Sequence, residues 1–372
     1  MWPDKYNVEL MPPSFGPWLP AGNKSRQVAV LMSGGVDSSV AAHLLKEDGW
    51  DVLGITMKIP LSCNTNARTC CGADAALVCN EIHLPHYFID VTKAFEKLII
   101  EPFRRLYANG QTPNPCADCN TFLKFSLVWD AVTEHFGIDY LATGHYAGLI
   151  RTNDRVRLRR AKDLGKDQSY FIYGITGAKL EKFVLPLGDL TKKQVRSIAK
   201  QLKLSVSEKP ESMELCFAGE GDYRAALTGA EANRTGDITD MQGGRIGTHE
   251  GIANYTLGQR HGIGFAGGKP LYVGRINART NTIALGTRQQ VSCRSIGANE
   301  INVLIPEELA ADKRIYAKIR SYGDPQPCKV TDVNQTDFTV EFDQPQFAPS
   351  PGQKIVLYDG DDNVVAGGTI TQ

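Results

Sequence analysis

The stretch "QVAVLMSGGVDSSVAAHLLKEDG", residues 27–49, carries three local signals in one run. Residues 27–32 are apolar without alternation, the pattern of a parallel strand buried on both faces. Gly34 and Gly35 follow at once, and "VAAHLLKEDG" then shows helical spacing. The run reads as strand, glycine-rich loop, helix. The loop is not a Walker A sequence, because the lysine of GxxxxGK is missing. Its chemistry still suits an anion. Gly34 and Gly35 let the backbone approach closely, and Ser33, Ser38 and Ser39 carry hydroxyls. Backbone N–H groups at a helix start face outward, where the dipole favours negative charge. A tight βα turn without a ligand has the same glycine pair. The whole SGGVDSS string directly after a buried strand is the more specific feature.

Working outward, "DVLGITMKI" (51–59), "PHYFIDV" (85–91) and "DYLATGH" (139–145) read as further buried strands. "ADAALVCNEIH" and "TKKQVRSIAKQLKL" (191–204) read as helices. Strands alternating with helices predict an α/β domain with a doubly wound, Rossmann-like parallel sheet. Upstream, residues 1–26 hold Pro3, Pro12, Pro13, Pro17 and Pro20 and read as an extended or disordered lead-in. Beyond about residue 215 the helical period fades, and short β-like runs alternate with Gly and Asn turns. That predicts one or two all-β units, the last a small barrel. The expected division is a lead-in over 1–26, the α/β domain over 27–220, a central β-rich domain over 221–293 and a C-terminal β-barrel over 294–372.

Composition bounds the function. The chain has 372 residues, enough for two or three domains, with 42% hydrophobic and 22% charged residues, as in ordinary soluble proteins. Formal net charge is zero, so no global field steers a polyanion to it and any nucleic-acid contact must be local. No stretch has the apolar length to span a bilayer, and no signal peptide is evident. Nine cysteines, an odd number spread over a long chain, do not form a secreted disulfide framework. The expected compartment is the cytoplasm, with no membrane partner.

"TPNPCADCN" (112–120) sets Cys116 and Cys119 three apart. By itself this CxxC reads as metal ligands, a redox pair, or a nucleophile with a neighbour. Cys216 lies in "ESMELCFAGEGDY" (211–223); an isolated Cys is most often a small buried hydrophobe. Cys70 and Cys71 in "RTCCG" read as loop residues, or else as ligands or relay thiols. Cys63, Cys79, Cys293 and Cys328 read as structural. "RTNDRVRLRR" (151–160) is a solvated hairpin or an RNA-phosphate patch; its place beside KDQSY favours the patch.

SGGVDSS, "TPNPCADCN", "ATGHYA", "KDQSYF", "LCF" and "YTLGQRHGIG" occur in this order. The loop resembles the pyrophosphate loop of N-type ATP pyrophosphatases. The six motifs together closely resemble the tRNA-specific 2-thiouridylase family (MnmA/TrmU type), from about residue 27 to the C-terminus. That resemblance implies a sulfurtransferase. ATP adenylates O2 of the wobble uridine of tRNA, a sulfur replaces that oxygen at C2, and AMP and pyrophosphate are released. It implies ATP binding by Leu31, Met32, Ser33, Gly34, Gly35, Val36, Asp37 and Ser38, with Met57 and Gly144 lining the adenine and ribose site. Asp37 would help hold Mg2+. tRNA contacts fall to Asn114, Pro115, Cys116, His145, Lys166, Asp167, Gln168, Arg320, Ser321 and Gln353, although the family usually has an aromatic where Ser321 stands. Cys119 matches the catalytic cysteine and Cys216 the persulfide-bearing one, with a transient Cys119–Cys216 disulfide as one outcome. Many relatives have Asp at the place of Cys116. Here Cys116, Cys119 and Cys216 supply three thiolates, a ligand set for a [4Fe–4S] cluster with one open iron. The persulfide and cluster readings both stand at this point. The implied partners are tRNA with a wobble uridine and a sulfur donor protein or sulfide. The competing readings are another adenylating pyrophosphatase, acting on a different tRNA position or a small molecule, and a non-catalytic iron–sulfur or RNA-binding module.

Overall fold

The computed structural model describes residues 8–19, 26–60, 72–152, 155–211, 215–217, 227, 234–265 and 268–371. Cys63, Cys70 and Cys71 lie outside the described residues. The chain forms two compact units, Met1–Leu98 with Asp118–Gly219, and Ile99–Ala117 with Glu220–Gln372.

The first unit contains β1 (Glu9–Phe15), β2 (Gln27–Leu31), β3 (Asp51–Lys58), β4 (His86–Asp90), β5 (Tyr140–Thr143), β6 (Gly148–Arg151), β7 (Val156–Arg159) and β8 (Phe183–Val184). Six of these make one sheet in the order β1-β4-β3-β2-β5-β8. The pairs β4/β3, β3/β2, β2/β5 and β5/β8 are all parallel, as the doubly wound reading expects. Every residue of β2 is buried, which is why it reads as an unbroken apolar run. Helix α1 (Val36–Glu47) leaves the glycine loop and turns Val36, Val40, Ala41, Ala42 and Leu45 into the core. Val195 and Ala199 of the helix Lys192–Gln201 join the same cluster. That helix opens with a capping box, in which the Thr191 hydroxyl accepts from the Gln194 N–H and the Gln194 side chain returns the bond. Helix α2 (Ala73–Glu81) buries Ala75, Val78 and Cys79.

The proline-rich lead-in departs from the expectation. Residues 9–15 are extended, but they belong to the fold: β1 pairs antiparallel with β4, Glu9 opposite Asp90 and Leu10 opposite Ile89. The register slips between Leu10 and Pro13 and again between Pro13 and Phe15. Proline donates no ladder bond, so it is tolerated at an edge strand and at bulges. An open parallel sheet leaves such an edge at β4, and β1 covers it. β6 and β7 form a separate antiparallel hairpin.

The second unit contains two β structures. β9 (Gly236–Asp240), β10 (Arg245–His249), β11 (Tyr272–Asn277) and β12 (Thr282–Gly286) make a four-stranded sheet, order β10-β9-β12-β11. Ile238, Ile252, Tyr255, Ile263, Val273, Ile283 and Leu285 form its core. β13 (Ser292–Val303), β14 (Arg314–Lys318), β15 (Gln326–Val333), β16 (Phe338–Phe347), β17 (Lys354–Tyr358) and β18 (Val364–Ile370) close into a barrel. The long β13 pairs with both β16 and β18, which removes the free edges. The segment 99–117 belongs to this unit; a Cβ on Gly110 would meet Ile276 Cγ2 at 2.6 Å, so only glycine fits there.

Candidate active site

The glycine loop lies at the C-terminal end of β2, where open α/β sheets bind ligands. Gly34 has φ +69°, a conformation that costs glycine nothing and other residues a good deal. The serine hydroxyls divide their work. Ser38 and Ser39 are buried and both donate to the Gly35 carbonyl, at 3.2 and 2.8 Å. Ser38 Oγ also accepts from the Ser33 N–H at 3.2 Å. These bonds hold the loop's shape, while Ser33 stays exposed. The N-cap Gly35 has no side chain, so no side-chain bond closes the start of α1. Its first-turn N–H groups are therefore placed for an anion. Gly144, after β5, touches this turn: a Cβ there would lie 2.6 Å from the Ser38 nitrogen and 2.7 Å from the Asp37 carbonyl carbon. Leu31 and Met32 are buried beneath the loop and Met57 is half-buried at the end of β3.

Two lysines flank the loop. Lys192 Nζ lies 2.8 Å from each oxygen of Asp37. The Tyr146 hydroxyl donates to Asp37 Oδ1 at 2.9 Å. Burial, with Asp37 beside it, pushes the Tyr146 phenol well up, so it remains a donor. Lys209 Nζ donates to the Gly34 carbonyl at 2.9 Å and pairs with Asp74 at 2.7 Å. Lys192 also reaches Glu211 at 3.2 Å, and Glu211 pairs with Lys166 at 2.7 Å. The Lys166 hydrogen bond, then Lys192, holds the Glu211 carboxyl below the usual range.

The KDQSY segment is thus split by role. Lys166 is partly exposed. The Asp167 side chain is turned inward, only 1% exposed, beside Arg160 at 3.6 Å. It accepts from the Ala161 and Ser169 N–H groups and the Ser169 hydroxyl. Gln168 Oε1 accepts from the Tyr146 N–H at 2.9 Å, tying this segment to "GHYA". His145 is half-buried, with Nδ1 2.8 Å from Thr143 Oγ1. Burial, with Lys124 nearby, pushes its pKa down to about 3, so the imidazole is neutral at physiological pH. The 151–160 stretch is the β6–β7 hairpin, and most of its arginines serve the protein. Arg151 donates to the Glu181 and Phe183 carbonyls, Arg159 pairs with Asp189 at 3.1 Å, and Arg160 is buried with Asp167. Three of the five arginines of the expected phosphate patch are therefore held by groups of the protein.

Cys119 is buried and begins a π-helical stretch, Cys119–Val128, within one helical run over 115–136. π-Helical segments concentrate at functional sites. The next residue, Asn120, is buried and donates to the Phe171 carbonyl at 2.9 Å. Cys216 is exposed, and Phe217 after it is buried edge-to-face on Phe95, centroids 5.9 Å apart. The anchored phenylalanine leaves the neighbouring thiol on the surface. Among the described residues no three His, Cys, Asp or Glu side chains gather as metal ligands.

The second unit brings together two expected RNA contacts far apart in sequence. Asn114 Nδ2 donates to Gln353 Oε1 at 3.1 Å, and Gln353 Nε2 donates to the Pro113 carbonyl at 3.2 Å. Asn114 Oδ1 accepts from the Ala117 N–H, which caps the short helix Pro115–Asp118. Pro115 is buried and Cys116 exposed. Arg320 donates to the Phe347 and Ala348 carbonyls, both at 2.7 Å. Ser321 is exposed, and the aromatic beside it, Tyr322, is 94% exposed.

Sequence reading missed Lys192, Lys209, Tyr146 and Glu211. Tyr146 lies in "ATGHYA" and Glu211 opens "ESMELCFAGEGDY", but those motifs were read for His145 and Cys216; the two lysines lie in "LTKKQV" and "SEKPES", outside the motifs.

A parallel sheet with an anion-holding loop at a helix start, backed by lysines, defines a Rossmann-like nucleotide-binding domain carrying two β modules. Residues 26–220 match the family model of the tRNA methyl transferase HUP domain, 225–287 that of the tRNA methyl transferase PRC-barrel domain and 293–370 that of the aminomethyltransferase beta-barrel domain. The chain is 42% identical over 353 residues to the tRNA-specific 2-thiouridylase MnmA 1 of Syntrophus aciditrophicus, covering 93% of each chain. It is 39% identical over 360 residues to the tRNA-specific 2-thiouridylase MnmA of Acetivibrio thermocellus, covering 93% of this chain and 99% of the relative. Among solved structures, NMN synthetase from Francisella tularensis is similar at 20% identity and a TM-score of 0.33, covering 53% of this chain and 70% of that one. The chain belongs to the tRNA-specific 2-thiouridylase family.

Proposed function

We propose that this protein is a tRNA-uridine 2-sulfurtransferase that activates the wobble uridine with ATP. The observation that carries this reading is an anion-holding loop on the same chain as two thiols of contrasting exposure, Cys119 buried and Cys216 exposed. A pyrophosphatase without sulfur chemistry has no use for that pair, and a non-catalytic module has no use for the loop.

ATP binds with its phosphates at the SGGVDSS loop. The α1 N–H groups receive phosphate oxygens, and Lys192 and Lys209 add positive charge beside them. Mg2+ fits Asp37, since both carboxylate oxygens already face one cation, the Lys192 ammonium at 2.8 Å. When bound, the ion would neutralise charge on the triphosphate. Uridine O2 attacks the α-phosphorus and pyrophosphate leaves, which makes the C2 oxygen a good leaving group. A sulfur carried on Cys216 as a persulfide attacks C2, and AMP departs with that oxygen. Cys119 then attacks the Cys216 sulfur and breaks the persulfide bond, leaving a Cys119–Cys216 disulfide; alternatively it does so beforehand and releases sulfide as the attacking group. In the alternative reading, Cys116, Cys119 and Cys216 would hold a [4Fe–4S] cluster whose open iron would supply sulfide.

Lys166, Arg320, Ser321 and Gln353 contact tRNA in this reading, and Asn114, Pro115 and Cys116 receive the flipped uridine. Flipping costs a few kcal/mol, roughly, which the pocket must offset. Asp167 and Gln168 act through the backbone they fix, and His145 acts as a neutral hydrogen-bonding ring. A sulfur donor protein that carries a persulfide loads Cys216: the Cys216 thiolate takes the outer sulfur and the donor's thiol leaves. Free sulfide, already at the level of the attacking group, would instead attack C2 directly. The α/β domain spans 27–220, the central domain 221–293 and the barrel 294–372. No helix among the described residues is long and apolar enough to cross a membrane, and the working compartment in this reading is the cytoplasm.

The test is reconstitution with a transcript bearing a wobble uridine, ATP and a sulfur donor that carries a persulfide. Pyrophosphate release that requires tRNA, with 2-thiouridine in the digested RNA, is expected. Pyrophosphate release at full rate without RNA would instead place the chain among small-molecule synthetases.

A further inference from the structure

Four charged side chains of the first unit form one alternating row: Lys166, Glu211, Lys192, Asp37. The separations are 2.7 Å from Lys166 to Glu211, 3.2 Å from Glu211 to Lys192 and 2.8 Å from Lys192 to Asp37. The row has an RNA-facing end and a nucleotide-facing end. Lys166 is 39% exposed and stands in the segment assigned to tRNA. Asp37 stands in the pyrophosphate loop. Glu211, in the middle, lies five residues before Cys216 in "ESMELC". Lys192 is the least exposed of the four, at 12%.

We infer that this row is a coupling relay, in which Lys192 is a displaceable plug on Asp37 and tRNA binding at Lys166 draws the plug away. This rests on the function proposed above. In the structure Glu211 divides its charge between two ammonium groups, the shorter contact going to Lys166. An RNA phosphate that takes Lys166 leaves Glu211 with Lys192 alone. Coulomb attraction then favours moving Lys192 from Asp37 toward Glu211. Asp37 then loses the ammonium that spans its two carboxylate oxygens, keeps the Tyr146 hydroxyl on Oδ1, and presents its negative charge to the magnesium that accompanies the triphosphate. Lys192 and Glu211 are thus positioning residues; neither needs to touch the reacting uridine. The consequence for catalysis is order: ATP is set up for adenylation once the RNA is in place, so it is not spent on water. Linkage requires the reverse effect of equal size, magnesium-ATP tightening tRNA.

The experiment measures binding of a non-hydrolysable ATP analogue by calorimetry, with magnesium titrated, with and without a saturating tRNA transcript. In the wild type, tRNA should lower the magnesium concentration for half-saturation by about tenfold, within the usual range of coupling between sites. In Glu211→Gln, which keeps the shape and removes the shared charge, tRNA should leave that concentration unchanged within about twofold, while Glu211→Asp restores part of the shift. Lys166→Gln should show the low requirement without any RNA, because the variant mimics the withdrawal of Lys166. Lys192→Gln should show it with or without RNA. A wild-type shift in Glu211→Gln, or a high magnesium requirement retained by Lys166→Gln, overturns the relay and leaves the proposed function standing. A wild-type protein that binds the analogue but no tRNA overturns the function, and the relay with it.

Discussion

Gly144 shows how little room the nucleotide loop has. Adding one methyl places a carbon 2.6 Å from the Ser38 nitrogen, inside any van der Waals contact, and the obstacle is backbone rather than a mobile side chain. The first turn of α1 must then shift. Misplacing a phosphate cradle by about an ångström costs on the order of 100-fold in rate. Gly144→Ala should therefore lose about that factor in tRNA-dependent pyrophosphate release with the fold intact by circular dichroism, and a variant within twofold of wild type would show that the loop has slack. The thiols make the second residue-scale case. Cys119→Ser and Cys216→Ser should each eliminate 2-thiouridine, measured by mass spectrometry of digested tRNA, while tRNA binding persists. Cys116 is exposed and is given no bond-making step, so Cys116→Ser should retain substantial activity in air, with an added sulfur detectable on Cys216. Loss of activity together with a cluster absorbance in that variant would favour the iron–sulfur reading.

At the scale of elements, the edge strand β1 buries a histidine of its neighbour. His86 on β4 is fully buried, with Nδ1 hydrogen-bonded to Ser14 Oγ of β1 and Nε2 2.8 Å from Thr56 Oγ1 of β3. Burial pushes its pKa down to about 4. The unfolded chain takes up this proton near pH 6.5, whereas the folded one refuses it until near 4. The neutral ring's contribution is complete above about pH 6.5 and is lost as pH falls toward 4. Between pH 7 and 5 the loss from His86 alone is about 2 kcal/mol. His145, with its pKa near 3, adds a loss of the same sign. Urea unfolding at the two pH values should show the drop. An unchanged midpoint would mean that water already reaches His86 past β1.

For the whole molecule the issue is how a chain of zero net charge holds a polyanion. The hairpin arginines are mostly spent on carbonyls and carboxylates, so binding must rest on few contacts. Lys166→Gln should weaken tRNA binding and reduce the slope of log affinity against log salt by about one. Tyr322→Ala should weaken binding and leave the salt slope unchanged, because an exposed ring contributes stacking of about 1–3 kcal/mol rather than charge. Equal slopes in both variants, measured by filter binding, would move the RNA surface elsewhere.

The parallel sheet, the loop and the two β modules were legible in the residues because each follows from a local pattern. A strand buried on both faces reads as an apolar run, a helix as a 3.6-residue period, and an anion loop as glycines between them. β1 was only half legible: its prolines announced extended chain, but whether extended chain pairs depends on a free edge at β4, which lies more than seventy residues away. The rest of the site depended on tertiary structure. Lys192 and Asp37 are 155 residues apart and Asn114 and Gln353 are 239 apart, and no spacing rule reaches that far. Asp167 reads as a surface carboxylate in a polar motif, yet its side chain is buried because two N–H groups and a hydroxyl converge on it. Residue types determined which chemistry was available. Packing, which pairs charges regardless of their order along the chain, decided which of those groups are held inside and which meet the ligand.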